Sequence, residues 1–447
     1  MRTIPLYILV LVLAAATAGA EELTLAAAAD AALLNNPEVA AARERAAAAD
    51  KRLDGGKSHR LPKIGLSESF VYSNNPAEVF AFTLNQGRFD MEEFFMSDPN
   101  NPDPLSTFIT KIDFELPIYT GGKLSARVGQ AEAMATAEDY SLAHAQERVV
   151  FETTTAYVNL AKAREHRALL EKARSTTAEH VRLAEKYAEE GVILEADVLQ
   201  AKVYLSEMDE LLTQASNGAK LAQAALNFQM GEDQALPREL APLPPATPVV
   251  GDLEDWIEAA VVERRDLEAA RRKLEVGRLE EKATRPGYFP DIAVLGNYAL
   301  YDDTFFGSNG HSGSVMAIAR INLLGGGSNT AARAAARHET AGFEADIRRF
   351  EEGVRLEVQQ AWQDLATARI RHSTAKSSLT AATEAVRVRQ SRFKQGLDKM
   401  IDLLDAETGL REAEMRELVA RYDVVLDIHR LRYVAGATLI TSTEDSQ

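Results

Sequence analysis

The chain has 447 residues, and its 67 Asp and Glu residues outnumber its 50 Lys and Arg residues, which gives a formal net charge of −17. Contacts to nucleic-acid phosphates need clustered Lys and Arg, so this balance argues against a nucleic-acid partner. The sequence contains no cysteine, which excludes disulfides, thiolate metal sites and a lipid anchor attached to a cysteine. Any membrane attachment would then have to come from strands or from partner proteins.

The first residues have the pattern of a secretory signal peptide. Met1-Arg2 supplies a positive charge, residues 6–16 are an apolar run, and Ala18-Gly19-Ala20 is a cleavage signal before Glu21. The apolar run is too short for a membrane helix, and no other stretch approaches the ~20 apolar residues that a spanning helix needs. We therefore expect residues 1–20 to be removed on export and the mature chain to have no helical membrane anchor.

The rest of the chain repeats itself. Leu61-Pro62-Lys63-Ile64 matches Phe289-Pro290-Asp291-Ile292 at an offset of 228, whereas Gly121-Gly122 matches Gly326-Gly327 at an offset of 205. The smaller offset indicates an insertion in the first half, residues 74–107, which we expect to be a solvated external lid rather than a receptor site. The predicted domains are a signal peptide (1–20), a first repeat (21–236), a proline-rich linker (237–250), a second repeat (251–440) and a C-terminal tail (441–447).

Four segments of about ten residues alternate apolar and polar side chains with a period of two. Residues 108–118, for example, place Phe108 and Ile112 on one face and Lys111 and Asp113 on the other. About ten residues is the length of a tilted transmembrane strand. A proline costs a strand least just before its first residue, because its missing N–H is not needed there. The predicted membrane strands are residues ~63–73, ~108–118, ~291–301 and ~313–323, and Pro62 and Pro290 directly precede the first and the third.

Two long segments, residues ~123–188 and ~328–393, contain no proline and carry apolar residues at spacings of three and four. This period predicts long helices with a seam close to that of a coiled coil. A helix of ~65 residues would be ~100 Å long at 1.5 Å per residue. A compact globular domain cannot bury such a helix, so we expect the long helices to pack side by side.

Four strands cannot close a membrane barrel, since about eight are the practical minimum. An open sheet edge is not tolerated in lipid, so several copies of the chain would have to pool their strands. A small soluble sheet is the alternative interpretation of the same four segments. The alternation of apolar and charged faces behind an export signal favours the membrane barrel.

The sequence motifs at the turns resemble those of the TolC family of outer-membrane factors, and the resemblance covers essentially the whole mature chain. Leu116-Pro117-Ile118-Tyr119-Thr120-Gly121-Gly122 resembles the family's turn from strand to helix. Residues 187–201 and 393–406 resemble its two periplasmic tip turns. In the second half, Leu323-Leu324-Gly325-Gly326-Gly327 lacks the proline of the first turn.

The resemblance implies a mainly helical, TolC-like fold with membrane strands and two internal repeats per chain. Three copies would form a homotrimer, in which twelve strands make one outer-membrane barrel and twelve helices continue it as a periplasmic α-barrel. The implied partners are outer-membrane lipid, a periplasmic adaptor (membrane fusion protein), and an inner-membrane pump or ABC exporter. No cofactor is implied, and the absence of cysteine places the chain with the non-acylated members.

The candidate gate residues lie in the second tip turn. Asp402 and Asp405 are three residues apart, so their carboxylates share one face of a predicted helix. Acids at that position also interact favourably with the helix dipole, which is the purely structural interpretation. The resemblance implies that the two line the closed pore, and the matching acid of the first half is Asp197. Phe393 and Asp398 replace the family's tyrosine and arginine locks, so we expect closure to be held differently here.

The sequence offers no enzymatic site. Its eight histidines are scattered without the paired spacing of metal ligands, and the glycine runs lack the GK[ST] of a phosphate loop. We therefore predict no catalytic, cofactor-binding or metal residues. The predicted function is passive export through a gated, water-filled channel of a tripartite efflux or type I secretion system. The alternative from another class is a soluble periplasmic coiled-coil adaptor or scaffold.

Overall fold

A computed structural model describes residues 22–245, 248–285, 289–323 and 325–437. The predicted signal peptide (1–20) and C-terminal tail (441–447) lie outside the described residues. The described chain divides into two compact units. The first contains residues 22–41, 144–264 and 354–437, and the second contains residues 42–143 and 265–353.

The elements occur in the same order in both halves of the chain, apart from two extra helices in the first. Each half has two helices, two strands, a very long helix and a shorter one. The helices are α1 (Leu25–Asn35), α2 (Pro37–Ser58), α3 (Pro76–Asn85), α4 (Met91–Met96), α5 (Lys123–Glu189), α6 (Glu195–Gln229), α7 (Leu253–Glu263), α8 (Arg265–Ala283), α9 (Ser328–Lys394) and α10 (Met400–Val434). The additional α3 and α4 lie in the insertion, so the predicted lid contains two helices. Among the described residues, none of the helices combines the length and the apolar character needed to cross a membrane.

The strands form one antiparallel sheet in the second unit. They are β1 (Lys63–Ser73), β2 (Leu105–Thr120), β3 (Asp291–Asp302) and β4 (Gly310–Arg320), and their order in the sheet is β1-β2-β3-β4. In the described part of the chain, β1 pairs only with β2, and β4 pairs only with β3. The sheet therefore has two open edges.

Two strands differ from the sequence prediction because strand ends are set by pairing. Strand β4 was predicted at ~313–323 but runs from Gly310 to Arg320, which are paired with Tyr301 and Asp291 of β3. Beyond Asp291 the chain continues to Pro290, which has no N–H to offer a longer strand. Strand β2 extends past the predicted ~108–118 at both ends, because β1 pairs with its start and β3 with its end.

The long helices α5 and α9 contain 67 residues each, and α6 and α10 contain 35 each. Both long helices end at a glycine with positive φ, 75° at Gly191 and 73° at Gly396. The N–H of Leu397 donates to the Arg392 carbonyl and that of Gly396 to the Phe393 carbonyl. This is the Schellman arrangement, which satisfies the last carbonyls of a helix and favours glycine at the left-handed position.

The described interior of the first unit contains a small apolar cluster of Val158, Leu418 and Tyr422 and two larger ones. One joins α1 to α5 and α6, and its Tyr157 hydroxyl lies 2.8 Å from the Leu23 carbonyl oxygen and 2.7 Å from that of Ala241. Leu23 also pairs with the linker residue Leu240, so the linker is anchored to the start of the chain. The other cluster, which we call the tip core, joins the ends of α5 and α9 to the starts of α6 and α10. Its buried members are Val181, Ala184, Val198, Ala201, Phe393, Met400, Leu403 and Leu404.

Replacing Gly396 by Ala should destabilise the turn between α9 and α10 by about 1 kcal/mol, because a side chain disfavours positive φ. Space is not the obstacle, since nothing lies within 4 Å of the position a Cβ would take. Gly353→Ala, in the interior of α9 with the same open surroundings, is the matched control and should stabilise the helix slightly. Thermal unfolding, followed by circular dichroism, measures the unfolding temperature of both variants. Equal changes in that temperature would contradict the role of Gly396.

Candidate functional site at the sheet and the helix tips

The sheet has one apolar face. Alternate residues of β1 from Ile64 to Tyr72 lie on it, and the register places them opposite the apolar residues of β2. Leu66 is opposite Ile112, and the rings of Phe70 and Phe108 are 4.9 Å apart. These side chains are largely uncovered, with exposed fractions of 66% for Leu66 and Tyr72 and 83% for Val315 of β4. A contiguous apolar surface of this kind is typical of a membrane or protein contact.

The opposite face of the sheet, which we call the polar face, carries the charged side chains of β2, together with Leu295, Met316 and Ile318 of β3 and β4. Lys111 and Asp113 form an ion pair at 2.8 Å, and the side-chain amide of Asn297 donates to the Ser314 hydroxyl at 2.9 Å. The segregation of the two faces follows the alternation predicted from the sequence. It holds as far as Pro117, where the register of β2 against β3 shifts before Tyr119.

One carboxylate interrupts the apolar face. Glu68 of β1 accepts a hydrogen bond from the Thr110 hydroxyl at 2.5 Å and from the Phe306 backbone N–H at 3.3 Å. Phe306 has a positive φ of 54°, and its neighbour Phe305 packs edge-on against Phe108 with 5.9 Å between ring centroids. The turn between β3 and β4 therefore folds over the apolar face, and its backbone donates one of the two hydrogen bonds to the half-buried Glu68. Sequence alternation gave no signal for this contact.

The insertion folds onto the polar face at the end of the sheet where β1 ends and β2 begins. The side-chain amide of Gln86 donates to the Thr107 hydroxyl at 2.8 Å, and the two residues are 1% and 0% exposed. The ring of Phe82 in α3 lies 6.5 Å from that of Tyr301 in β3. Arg88 forms an ion pair with Asp303 at 3.3 Å. The insertion was predicted to be a solvated lid, but its α3 is packed against the sheet by contacts that no sequence period reveals.

The glycines predicted at the strand-to-helix turns occupy equivalent conformations in both halves. Gly121 and Gly122 have φ of 61° and 89°, and Gly326 and Gly327 have φ of 59° and 82°. The missing proline of the second turn therefore leaves the conformation of the paired glycines unchanged. Two of the predicted prolines directly precede strands, Pro62 before β1 and Pro290 before β3, whereas Pro117 lies within β2 at its register shift against β3.

At the helix tips, Asp402 and Asp197 occupy equivalent positions. Asp402 is the third residue of α10 and accepts a hydrogen bond from the Lys399 N–H at 3.2 Å. Asp197 is the third residue of α6 and accepts from the Leu194 N–H at 3.3 Å. Both carboxylates therefore satisfy an N–H at a helix start, as in a capping box. This is the structural role weighed against a pore role in the sequence analysis, and the pore role stays a prediction.

Asp405 lies one turn further along α10 and is exposed. The Tyr204 hydroxyl of α6 donates to its carboxylate at 3.4 Å and accepts from the Thr408 hydroxyl at 3.5 Å. Asp405 thus takes part in a contact between the two hairpins, whereas Asp402 bonds within its own turn. Tyr204 was missed by the sequence analysis, because the repeat offers no counterpart for it in the second half.

Phe393 and Asp398, the residues at the positions of the family's locks, face the chain's own interior. Phe393 is 5% exposed in the tip core, and its ring lies 6.2 Å from that of Tyr187. The Asp398 side chain is also 5% exposed and pairs with Arg392 at 2.9 Å and Arg389 at 3.1 Å. The hydrogen bond from Arg392, supported by that from Arg389, holds the pKa of Asp398 below its ordinary value of 3.8. The structure therefore joins Asp398 to α9.

Polar contacts also connect α10 to α5. His180 of α5 lies 2.5 Å from the Glu407 carboxylate. Closer to the other end of α10, Glu165 accepts hydrogen bonds from Arg421 at 2.5 Å and from the Tyr422 hydroxyl at 2.9 Å. Burial, together with the Glu165 carboxylate, raises the pKa of Tyr422 to about 12, so this hydroxyl stays a donor at any physiological pH. Separating the two hairpins would break each of these contacts.

Asp398→Asn should loosen the turn between α9 and α10, because it removes the charge that both arginines contact. The stability difference between wild type and variant should be full above pH 3.8 and disappear as the pH falls through the lowered pKa of Asp398. Thermal unfolding across that range measures the difference. Glu384→Gln, which breaks the exposed pair with Arg387 inside α9, is the control and should have little effect. Equal effects of the two substitutions would contradict the assignment.

Several known proteins are similar to this chain over most of its length. It is 25% identical to the alkaline protease secretion protein AprF of Pseudomonas aeruginosa over 407 residues, which are 87% of this chain and 81% of AprF. It is 22% identical to the outer membrane efflux protein BepC of Brucella suis over 322 residues, 71% of this chain and 70% of BepC. The solved structure of CusC matches with a TM-score of 0.80 at 15% identity, covering 94% of this chain and 93% of CusC. The predicted TolC-like fold is thereby confirmed.

The sequence profile described as outer membrane efflux protein matches residues 28–232 and 256–437. Both matched segments include strands of the sheet and a complete helical hairpin. This agreement favours the channel over the soluble adaptor that the sequence left as an alternative. The chain belongs to the outer membrane efflux protein family.

Proposed function

We propose that this protein is the channel of a tripartite export system, and that three copies assemble to form it. The observation that carries the proposal is the four-stranded sheet with one exposed apolar face and two open edges. Unpaired backbone groups are not tolerated in the hydrocarbon of a membrane, so each edge needs the edge of another copy. Three chains supply twelve strands, which is enough to close a barrel around a polar interior.

The partners of such a channel are an adaptor in the periplasm and a pump in the inner membrane. BepC is named for efflux and AprF for the secretion of alkaline protease, so similar chains serve both kinds of export. We propose that this chain, like them, receives its cargo from an inner-membrane pump or ABC exporter through an adaptor. It would act as a passive conduit, without catalysis, a cofactor or a metal.

The proposed gate lies at the helix tips. In a trimer, Asp402 and Asp405 would place six carboxylates around one narrow end of the α-barrel, and Asp197 would mark the equivalent turn of the other hairpin. The carboxylate of Asp402 already accepts a hydrogen bond from the Lys399 N–H, whereas Asp405 is exposed. We therefore expect Asp405 to contribute more than Asp402 to the charge of the gate. Like charges so close attract cations into the ring. The contact between Tyr204 and Asp405 would connect the ring to the neighbouring hairpin.

Val315→Lys should prevent insertion and assembly, because a lysine on the lipid side of a barrel costs about 2–4 kcal/mol near the bilayer centre. Ser314→Lys changes the adjacent residue of the same strand, on the opposite face, and should insert normally. Outer-membrane fractionation and mass measurement in mild detergent give the readout, with a trimer expected for the wild type. A stable wild-type monomer, or equal insertion of both variants, would refute the proposed channel.

Replacing Asp402 and Asp405 together by Ala should raise single-channel conductance in a planar bilayer and weaken block by divalent cations. Asp197→Ala is the control for losing a helix cap. It removes the equivalent hydrogen bond at the start of α6 and leaves the carboxylates of Asp402 and Asp405 in place. Glu412→Gln, an exposed acid of α10 one heptad beyond Asp405, controls for charge on the same helix. Normal conductance and normal divalent block in the double variant would withdraw the gate and leave the channel intact.

A further inference from the structure

The insertion of the first half forms a half-open cavity of about 530 Å³. Helices α3 and α4 and the segment 97–105 form its walls, and the proline residues of that segment, Pro99, Pro102 and Pro104, line one side. The volume lies within the range of small-molecule sites, which is about 300–1,000 Å³. The second half has no equivalent, because β3 and β4 are joined only by residues 303–309.

Three phenylalanine rings form the aromatic wall of this cavity. The ring centroids of Phe80, Phe89 and Phe94 are 5.6 or 5.7 Å from one another. Each of them lines the cavity, and Phe80 remains 43% exposed. A grouping of this kind gives the cavity an apolar surface with electron-rich ring faces, which attract cations as well as apolar groups.

The charged side chains of the lining are not balanced. Arg88 is engaged by Asp303 at 3.3 Å, and the Asp90 carboxylate accepts the N–H groups of Glu92 and Glu93 at the start of α4. The carboxylates of Glu93 and Asp103 make no ion pair with any residue that the structure describes. Two exposed carboxylates without a cationic partner therefore line the same cavity as the three aromatic rings.

We propose that this cavity binds an organic cation with an apolar body, such as a quaternary ammonium or phosphonium ion. The apolar part would occupy the volume lined by phenylalanine and proline, and the positive centre would be neutralised by Glu93 and Asp103. An anion of the same shape would be repelled by the same two carboxylates. The site does not depend on the proposed export function, because all its parts lie within one copy of the insertion.

Equilibrium dialysis of the purified full-length protein, with equal detergent on both sides, tests the site with tetraphenylphosphonium. The same measurement with tetraphenylborate, an anion of nearly the same shape, separates charge from apolar contact. Wild type should bind the phosphonium ion and exclude the borate. The double substitution Glu93→Gln and Asp103→Asn should weaken phosphonium binding about tenfold, which corresponds to ~1.4 kcal/mol.

Glu92→Gln is the matched control, because Glu92 neighbours Glu93 on α4 but does not line the cavity. It removes one negative charge from the same helix and should leave phosphonium binding unchanged. Phe94→Leu keeps an apolar wall without the ring and should weaken phosphonium binding while leaving borate exclusion intact. Equal binding of both ions by wild type, or equal affinity of the double variant and wild type for the phosphonium ion, would overturn the proposal.

Discussion

The constraint on which the rest of this structure depends is the row of unpaired backbone N–H and C=O groups at each edge of its sheet. Strands β1 and β4 each pair on one side only within the described chain. In water such edges would be a hazard for aggregation, and in lipid they would be untenable. If the proposed channel is correct, one chain is an incomplete structure. Further copies would then also cover the exposed apolar face of the sheet and the sides of the 67-residue helices.

The two repeated halves use the same residues at equivalent turns and helix starts. Paired glycines with positive φ turn each strand into a long helix, and a single glycine ends each long helix. An acid at the third position of the following helix satisfies an N–H in each tip, as Asp197 and Asp402 show. The two halves differ at the insertion and at the second helix tip. The insertion with its α3 and α4 occurs only in the first, and the Arg–Asp398 contacts occur only in the second.

The tips are held by contacts between the hairpins and not only within them. His180 with Glu407, and Tyr204 with Asp405, join the first hairpin to α10 near its start. Glu165 joins α5 to Arg421 and Tyr422 further along. If the proposed gate opens at the tips, it would exchange these contacts for others, and the free energy of opening would be spread over several pairs. Of the two residues predicted to replace the family's locks, Phe393 is buried and Asp398 is paired within its own hairpin.

The sequence by itself determined the long helices, the turns and the two faces of the sheet, because these depend on neighbours in the chain. Proline-free runs with helical spacing extend to within a residue or two of Lys123–Glu189 and Ser328–Lys394. Tertiary structure decided what depends on residues distant in sequence. Pairing with β3 sets the bounds of β4 at Gly310–Arg320, which differ from those predicted. Packing between helices places Phe393 in the tip core. The bond between Gln86 and Thr107, which places the insertion on the polar face, joins two side chains whose meeting no local pattern encodes.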